Sequence, residues 1–396
     1  MMKITVRSGD SLWYYSQLFM VPVNLIIDSN PNVNPTLLQI GTQVNIPGFI
    51  EQTYTIKKED TFWKLAKSRN LSIDALLLLN QALNPNQLQV GSIIVLPKRV
   101  ITPVVEGRKR YDFEALMEDL SEIQTIYPFI RVHPIGESVM GKPIQEIRLG
   151  NGNKKVQFNA AFHANEWITT PILMTLLNTL LLSLTNSSAI RGLSTMPLYN
   201  SVDLSIVPMV NPDGVNLVLN GPPEERKEAL LKINKGSMDF TEWKANIRGV
   251  DLNNQYPAKW EIEKERKEPK SPAPRDFPGN APLTEPEAIA MAELARNHLF
   301  DRMLAFHTQG EEFYWGYEGL EPPESSMLAK EFSRVSGYES IQYVDSYAGY
   351  KDWFIKEFQK AGFTVELGKG INPLPLSQFD EIYEEVLGMF LAAIYL

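Results

Sequence analysis

The sequence predicts an α/β chain in which two small βααβ units precede a larger layered domain. Three observations carry this. The first 98 residues repeat with a period of 50. From residue 111 onward, short apolar runs of strand character alternate with stretches of helical periodicity. Polar residues gather just beyond the ends of those runs, where sites form in open α/β sheets. A chain of 396 residues with 44% hydrophobic content is large enough for two or three folding units and is not a disordered composition.

In the repeat, Thr5 matches Thr55, Asp10 matches Asp60, Trp13 matches Trp63, Asn30 matches Asn80, Gly41 matches Gly91 and Pro47 matches Pro97. Each copy reads as a strand (4–7, 54–57), a helix that Asp10 or Asp60 can cap, a second helix ending near Asn30 or Asn80, and a closing strand. Leu12, Tyr15 and Ser16, with Phe62, Leu65 and Ala66 in the second copy, fall at helical spacing and face inward. The segments Ser8-Gly9-Asp10-Ser11-Leu12 and Lys58-Glu59-Asp60-Thr61-Phe62, with the Asn-Pro region and the closing prolines, resemble LysM modules. That resemblance implies binding of N-acetylglucosamine-containing glycans, with Gly9, Asp10, Ser11, Asn30, Asp60, Thr61 and Asn80 as candidate contacts. Copy two carries Glu59 where glycine is usual. The modules span 1–49 and 50–98, a proline-containing linker 99–110, and the large domain 111–396.

Composition excludes several classes. There are no cysteines, so disulfide frameworks, thiolate metal sites and cysteine nucleophiles are absent. Residues 1–100 hold nine basic and six acidic side chains, and the remaining 296 hold 29 and 41. An acidic body is a poor partner for nucleic acid. The start, Met1-Met2-Lys3-Ile4-Thr5-Val6-Arg7, lacks the apolar core of a secretory signal. The missing signal makes the cytoplasm the expected location, while the LysM resemblance implies a bacterial cell wall reached after release, as in a sporulating cell. The most apolar stretch, 171–184, is too short to cross a bilayer and reads as a buried helix.

In the large domain, 144–149, 156–162, 202–209, 303–306 and 363–367 read as strands, and 111–127, 170–184, 285–299, 352–361 and 380–396 as helices. His163 and Glu166 follow one strand, Asn211 and Asp213 another, His307 a third, and Glu366 ends a fourth. A histidine and a carboxylate three residues apart can turn toward one cation, and two histidines with a glutamate form a known catalytic zinc set. Of the four histidines, His133 reads as loop and His298 as helix, which leaves His307 as the natural third ligand. A single His-x-x-Glu is weak, and a lone strand-end histidine is more often a hydrogen-bonded structural residue.

The wider set changes that balance. His163-x-x-Glu166 and His307 stand with Asn246-Ile247-Arg248-Gly249-Val250-Asp251-Leu252-Asn253-Asn254 and Thr364-Val365-Glu366-Leu367-Gly368. Gly136-Glu137-Ser138, Asn211-Pro212-Asp213-Gly214 and Thr284-Glu285-Pro286-Glu287 complete the pattern. Together they resemble the M14, carboxypeptidase A-like, metallopeptidases from about residue 111 to the C-terminus. The resemblance implies a mixed-sheet zinc carboxypeptidase-like domain and one Zn²⁺ per chain on His163, Glu166 and His307. It also implies Glu366 as general base and Arg248 as the cation steadying the oxyanion. Substrate contacts are expected from Asn253, Asn254 and Tyr347, with Tyr343 as the other tyrosine considered. Carboxypeptidases of this family usually carry Asn-Arg where this chain has Asn253-Asn254, and a neutral Asn254 cannot grip a terminal carboxylate as a guanidinium does. LysM modules on such a domain resemble bacterial γ-D-glutamyl-L-diamino acid endopeptidases, which cut peptidoglycan stem peptides before meso-diaminopimelate or lysine. The alternatives are a zinc carboxypeptidase of broader range and a glycan-binding protein with an inactive scaffold. No membrane span is expected.

Overall fold

A computed structural model describes residues 1–396. The chain forms two compact units, one of residues 1–104, 119–131 and 178–197, the other of residues 105–118, 132–177 and 198–396.

In the first unit both repeats fold as βααβ. Strand Met2–Thr5 pairs antiparallel with Gln43–Ile46 around helices Leu12–Phe19 and Val23–Asp28. Strand Phe49–Thr55 pairs with Ile93–Arg99 around helices Phe62–Lys67 and Ile73–Leu79. The inward positions read from the periodicity are all buried. Helix capping departs from expectation. Ser11 and Thr61, not Asp10 and Asp60, accept the backbone N–H at the third helical position. The aspartates are occupied one turn earlier, where Asp10 accepts from the Arg7 N–H and Asp60 from the Lys57 N–H. Arg7 also makes a bidentate pair with Asp74 of the second module, at 2.8 and 2.6 Å, and Tyr14 donates to the same carboxylate at 2.5 Å. At the expected linker 99–110, the last strand of the second module ends at Arg99, and Val100 and Val105 are buried. At Gly48, with φ +76°, a Cβ would fall 2.7 Å from Thr185 Cβ, so only glycine fits.

The second unit is built on an eight-stranded mixed sheet. Its order is Glu339–Ile341, Glu312–Tyr314, Ala361–Glu366, Arg302–His307, Lys154–Ala160, Val202–Val207, Pro143–Leu149, Arg131–Glu137. The four central strands run parallel, with antiparallel neighbours on either side. Their apolar residues are fully buried, as strands covered on both faces require. Every expected helix is present, as Phe113–Ile126, Thr169–Asn186, Pro286–His298, Tyr350–Phe358 and Phe379–Tyr395. The stretch Ala164–Asn186 is long and apolar enough to cross a membrane, contrary to the length expected, but it is 83% buried in the protein and serves as core.

His133 lies in the edge strand Arg131–Glu137, not in a loop. Pro134 interrupts the strand signal and is tolerated there because an edge strand has donors to spare.

Candidate metal centre

Four loops converge at the carboxyl ends of the central strands. After Lys154–Ala160 the chain turns sharply, with Ala161 at φ +51° and its N–H donating to Thr169 Oγ1 at 3.0 Å. His163 then precedes the single 3-10 turn Ala164–Glu166, which brings its imidazole and the Glu166 carboxylate to one side. Asn211 holds this turn in place. Its Nδ2 donates to Phe162 O at 3.2 Å and Ala245 O at 3.1 Å, and its Oδ1 caps helix Pro212–Asn220. Gly214 is required beside it, because a Cβ would lie 2.6 Å from the Asn211 amide and 2.8 Å from Ala164 Cβ.

His163, Glu166 and His307 are brought together, all buried, with ligand atoms within 4.8 Å of one another. His163 Nδ1 lies 2.8 Å from Glu166 Oε1, and His307 Nδ1 lies 2.9 Å from Glu166 Oε2. The two Nδ1 atoms are 3.1 Å apart. Two imidazole nitrogens and a carboxylate aimed at one point are costly to bury without a cation between them, and this N₂O set suits zinc. The donor set therefore fits a metal ion.

The outer face of His163 is fixed by Asp251, whose Oδ1 lies 3.2 Å from Nε2. Asp251 Oδ2 is 3.0 Å from Lys244 Nζ. Burial alone would raise the Asp251 carboxyl, but the Lys244 ammonium and His163 outweigh it and hold it well below the ordinary carboxylate range. Lys244 is in turn raised, because the charges of Asp251 and Glu166 outweigh its desolvation. Neither residue was given a role from the sequence. Asp251 lies inside the 246–254 motif and was open to the question of what would orient a ligand histidine. Lys244 carries no such signal, since its approach depends on the backbone pairing of residues 244 and 245 with Pro274 O.

Glu366 is the register partner of His307 on the adjacent parallel strand, so both side chains leave the sheet on one face. Its carboxyl is raised, first by burial and then by the like charge of Glu166, with His163 and Lys244 acting in the opposite sense.

The other expected residues have partners of their own. Arg248 is half-exposed, 3.5 Å from Glu285, and makes no hydrogen bond or ion pair with the triad or Glu366. The motif around it is a stapled loop in which Asn246 Oδ1 accepts from the Arg248 and Val250 N–H groups and Nδ2 donates to Glu285 at 2.7 Å. Asn253 Oδ1 accepts from the Tyr350 N–H at 3.0 Å. Asn254 is buried, with its N–H on Asp251 O. Tyr347 is half-buried, flanked by Lys259 at 5.0 Å and Arg266 at 5.5 Å, whereas Tyr343 donates to Glu321. The two spare histidines serve other partners, His133 pairing with Glu146 and His298 with Arg148.

Residues 116–388 match the zinc carboxypeptidase (peptidase M14) family, and residues 4–47 and 54–97 each match the LysM domain. The chain belongs to the zinc carboxypeptidase family and is a metallopeptidase carrying two N-terminal LysM domains. It is 62% identical over 397 residues to gamma-D-glutamyl-L-diamino acid endopeptidase 1 of Lysinibacillus sphaericus, covering 100% of both chains. It is 50% identical to the uncharacterized protein YqgT of Bacillus subtilis (strain 168), over 74% of this chain and 79% of that one. Among solved structures, carboxypeptidase A from Helicoverpa armigera superposes with a TM-score of 0.54 at 20% identity, covering 73% of this chain and 75% of its own. That likeness shows the fold.

Proposed function

We propose that this chain hydrolyses peptidoglycan stem peptides between γ-D-glutamate and the diamino acid, meso-diaminopimelate or lysine, while its LysM modules hold the glycan. The observation that carries this reading is the full-length similarity to the Lysinibacillus endopeptidase, which covers both the LysM pair and the peptidase domain. The neutral, buried Asn254 is consistent with it, because a general carboxypeptidase needs a cation for the substrate's terminal carboxylate. The protein acts on the bacterial cell wall.

In this reading His163, Glu166 and His307 hold one zinc ion, which supplies a Lewis acid for the scissile carbonyl and acidifies water. Glu366 takes the proton from the attacking water and delivers it to the leaving amine. Arg248, half-exposed beside Glu285, is the residue that steadies the oxyanion in this reading, and Lys244 acts behind the triad by pairing with the Asp251 that holds His163. Tyr347, half-buried, is a candidate for contact with substrate. Incubation with defined muropeptides, with products read by mass spectrometry, tests the reading.

A further inference from the structure

The six side chains expected to contact glycan are all engaged inside their own modules. Asp10 and Asp60 accept from backbone and from Tyr15 and Tyr54 hydroxyls. Ser11 and Thr61 cap helices. Asn30 and Asn80 each bridge a helix end to the closing strand, through the Asn45 and Val95 backbone.

What the modules do present to solvent is tryptophan. Trp13 is 65% exposed and Trp63 is 56% exposed. They occupy equivalent positions, the second residue of the first helix in each repeat, although the next residue differs, Tyr14 in one copy and Lys64 in the other. An exposed indole leaves a large apolar face in water, and both copies bear it. Trp63 walls a groove of about 350 Å³ whose other apolar surfaces are Ala66, Leu71 and Ile73 and whose polar groups are Lys67, Asn70 and Ser72. Lys67 Nζ, 4.7 Å from the Trp63 ring centroid, steadies the indole. An aromatic wall with a few amide and hydroxyl groups suits a sugar. The C–H face of a pyranose packs on the negative π face, and its hydroxyl and N-acetyl groups reach the polar rim. Ile73 adjoins Asp74, the carboxylate that clamps Arg7 and Tyr14 of the first module, so the groove and the Trp13 helix belong to one braced structure.

Resting on the peptidoglycan reading above, we propose that Trp13 and Trp63 are the sugar-stacking residues of the LysM pair. The test uses the full chain and its W13A, W63A, W63F and double-alanine forms. Binding to insoluble peptidoglycan and to a soluble N-acetylglucosamine oligomer is measured by sedimentation and calorimetry. Hydrolysis of a glycan-free muropeptide and the melting temperature serve as controls, and both should be unchanged because the side chains are exposed. Each single alanine should weaken glycan binding about fivefold, the double more, and W63F should retain most of it. A double variant that binds as the wild type does overturns the proposal, and so does one that changes only the sedimenting mass, which would make the tryptophans a contact between copies. Wild-type protein that binds no glycan overturns the glycan part of the functional reading as well, which separates the two failures.

Discussion

Asp251 Oδ1 lies 3.2 Å from His163 Nε2, on the far side of the ring from the nitrogen that meets Glu166 and His307. The carboxylate therefore fixes both the tautomer and the tilt of one proposed ligand. Carboxylates in this position typically contribute about 10–100-fold to metal affinity. Asp251→Asn should lower zinc affinity by that order, read by competition with a chromogenic chelator, whereas unchanged affinity would remove Asp251 from the site.

Glu366 stands beside His307 in register on the adjacent parallel strand. Glu366→Gln should lower kcat by about 10²–10⁴-fold with zinc content unchanged by elemental analysis. Loss of zinc together with activity would make the residue a ligand instead.

Lys244 neutralises a fully buried Asp251, which in turn holds His163, so its removal should have two effects. Lys244→Met should reduce kcat/KM by about 10²–10³-fold and destabilise the fold by about 3 kcal/mol because Asp251 is left unpaired. Lys244→Arg should recover stability first. Arg248→Met should leave stability nearly unchanged, since that side chain is half-exposed and meets only Glu285, while lowering kcat by about 10²–10³-fold.

Glu287 gives a stability prediction away from the triad. It is fully buried, accepting from the Val139 N–H at 3.1 Å and Asn246 Nδ2 at 3.3 Å, and burial pushes its carboxyl up to about 7. The unfolded carboxyl ionises near 4.5, so between these values the folded protein holds the extra proton. Stability from this group is therefore fully present below the unfolded value and falls as pH rises toward 7, by about 3 kcal/mol at most. Denaturation midpoints should decline over that window, and Glu287→Gln should flatten the slope.

Much of this was legible before the structure. The period-50 repeat located both modules, and runs such as 303–306 and 363–367 are apolar enough to declare central strands, which the structure places at Arg302–His307 and Ala361–Glu366. The three-residue strands Glu312–Tyr314 and Glu339–Ile341 were missed because such segments carry no measurable period. The strand holding His133 was missed because of Pro134. The Lys244–Asp251 pair behind His163 was not legible, because it depends on a loop geometry set by Asn246 and Pro274 that no local spacing encodes. Asp10 was expected to cap a helix, but Arg7 and Tyr15 claim it first, a contest among three neighbours that propensity alone does not resolve.

The central claim is the bond that is cut. The most direct measurement is mass spectrometry of products from a defined stem peptide, L-Ala-γ-D-Glu-meso-diaminopimelate extended by D-alanine, incubated with the zinc-loaded protein. The expected products are L-Ala-γ-D-Glu and a fragment that begins at the diamino acid. Release of the C-terminal D-alanine alone would contradict the claim and make the enzyme a carboxypeptidase.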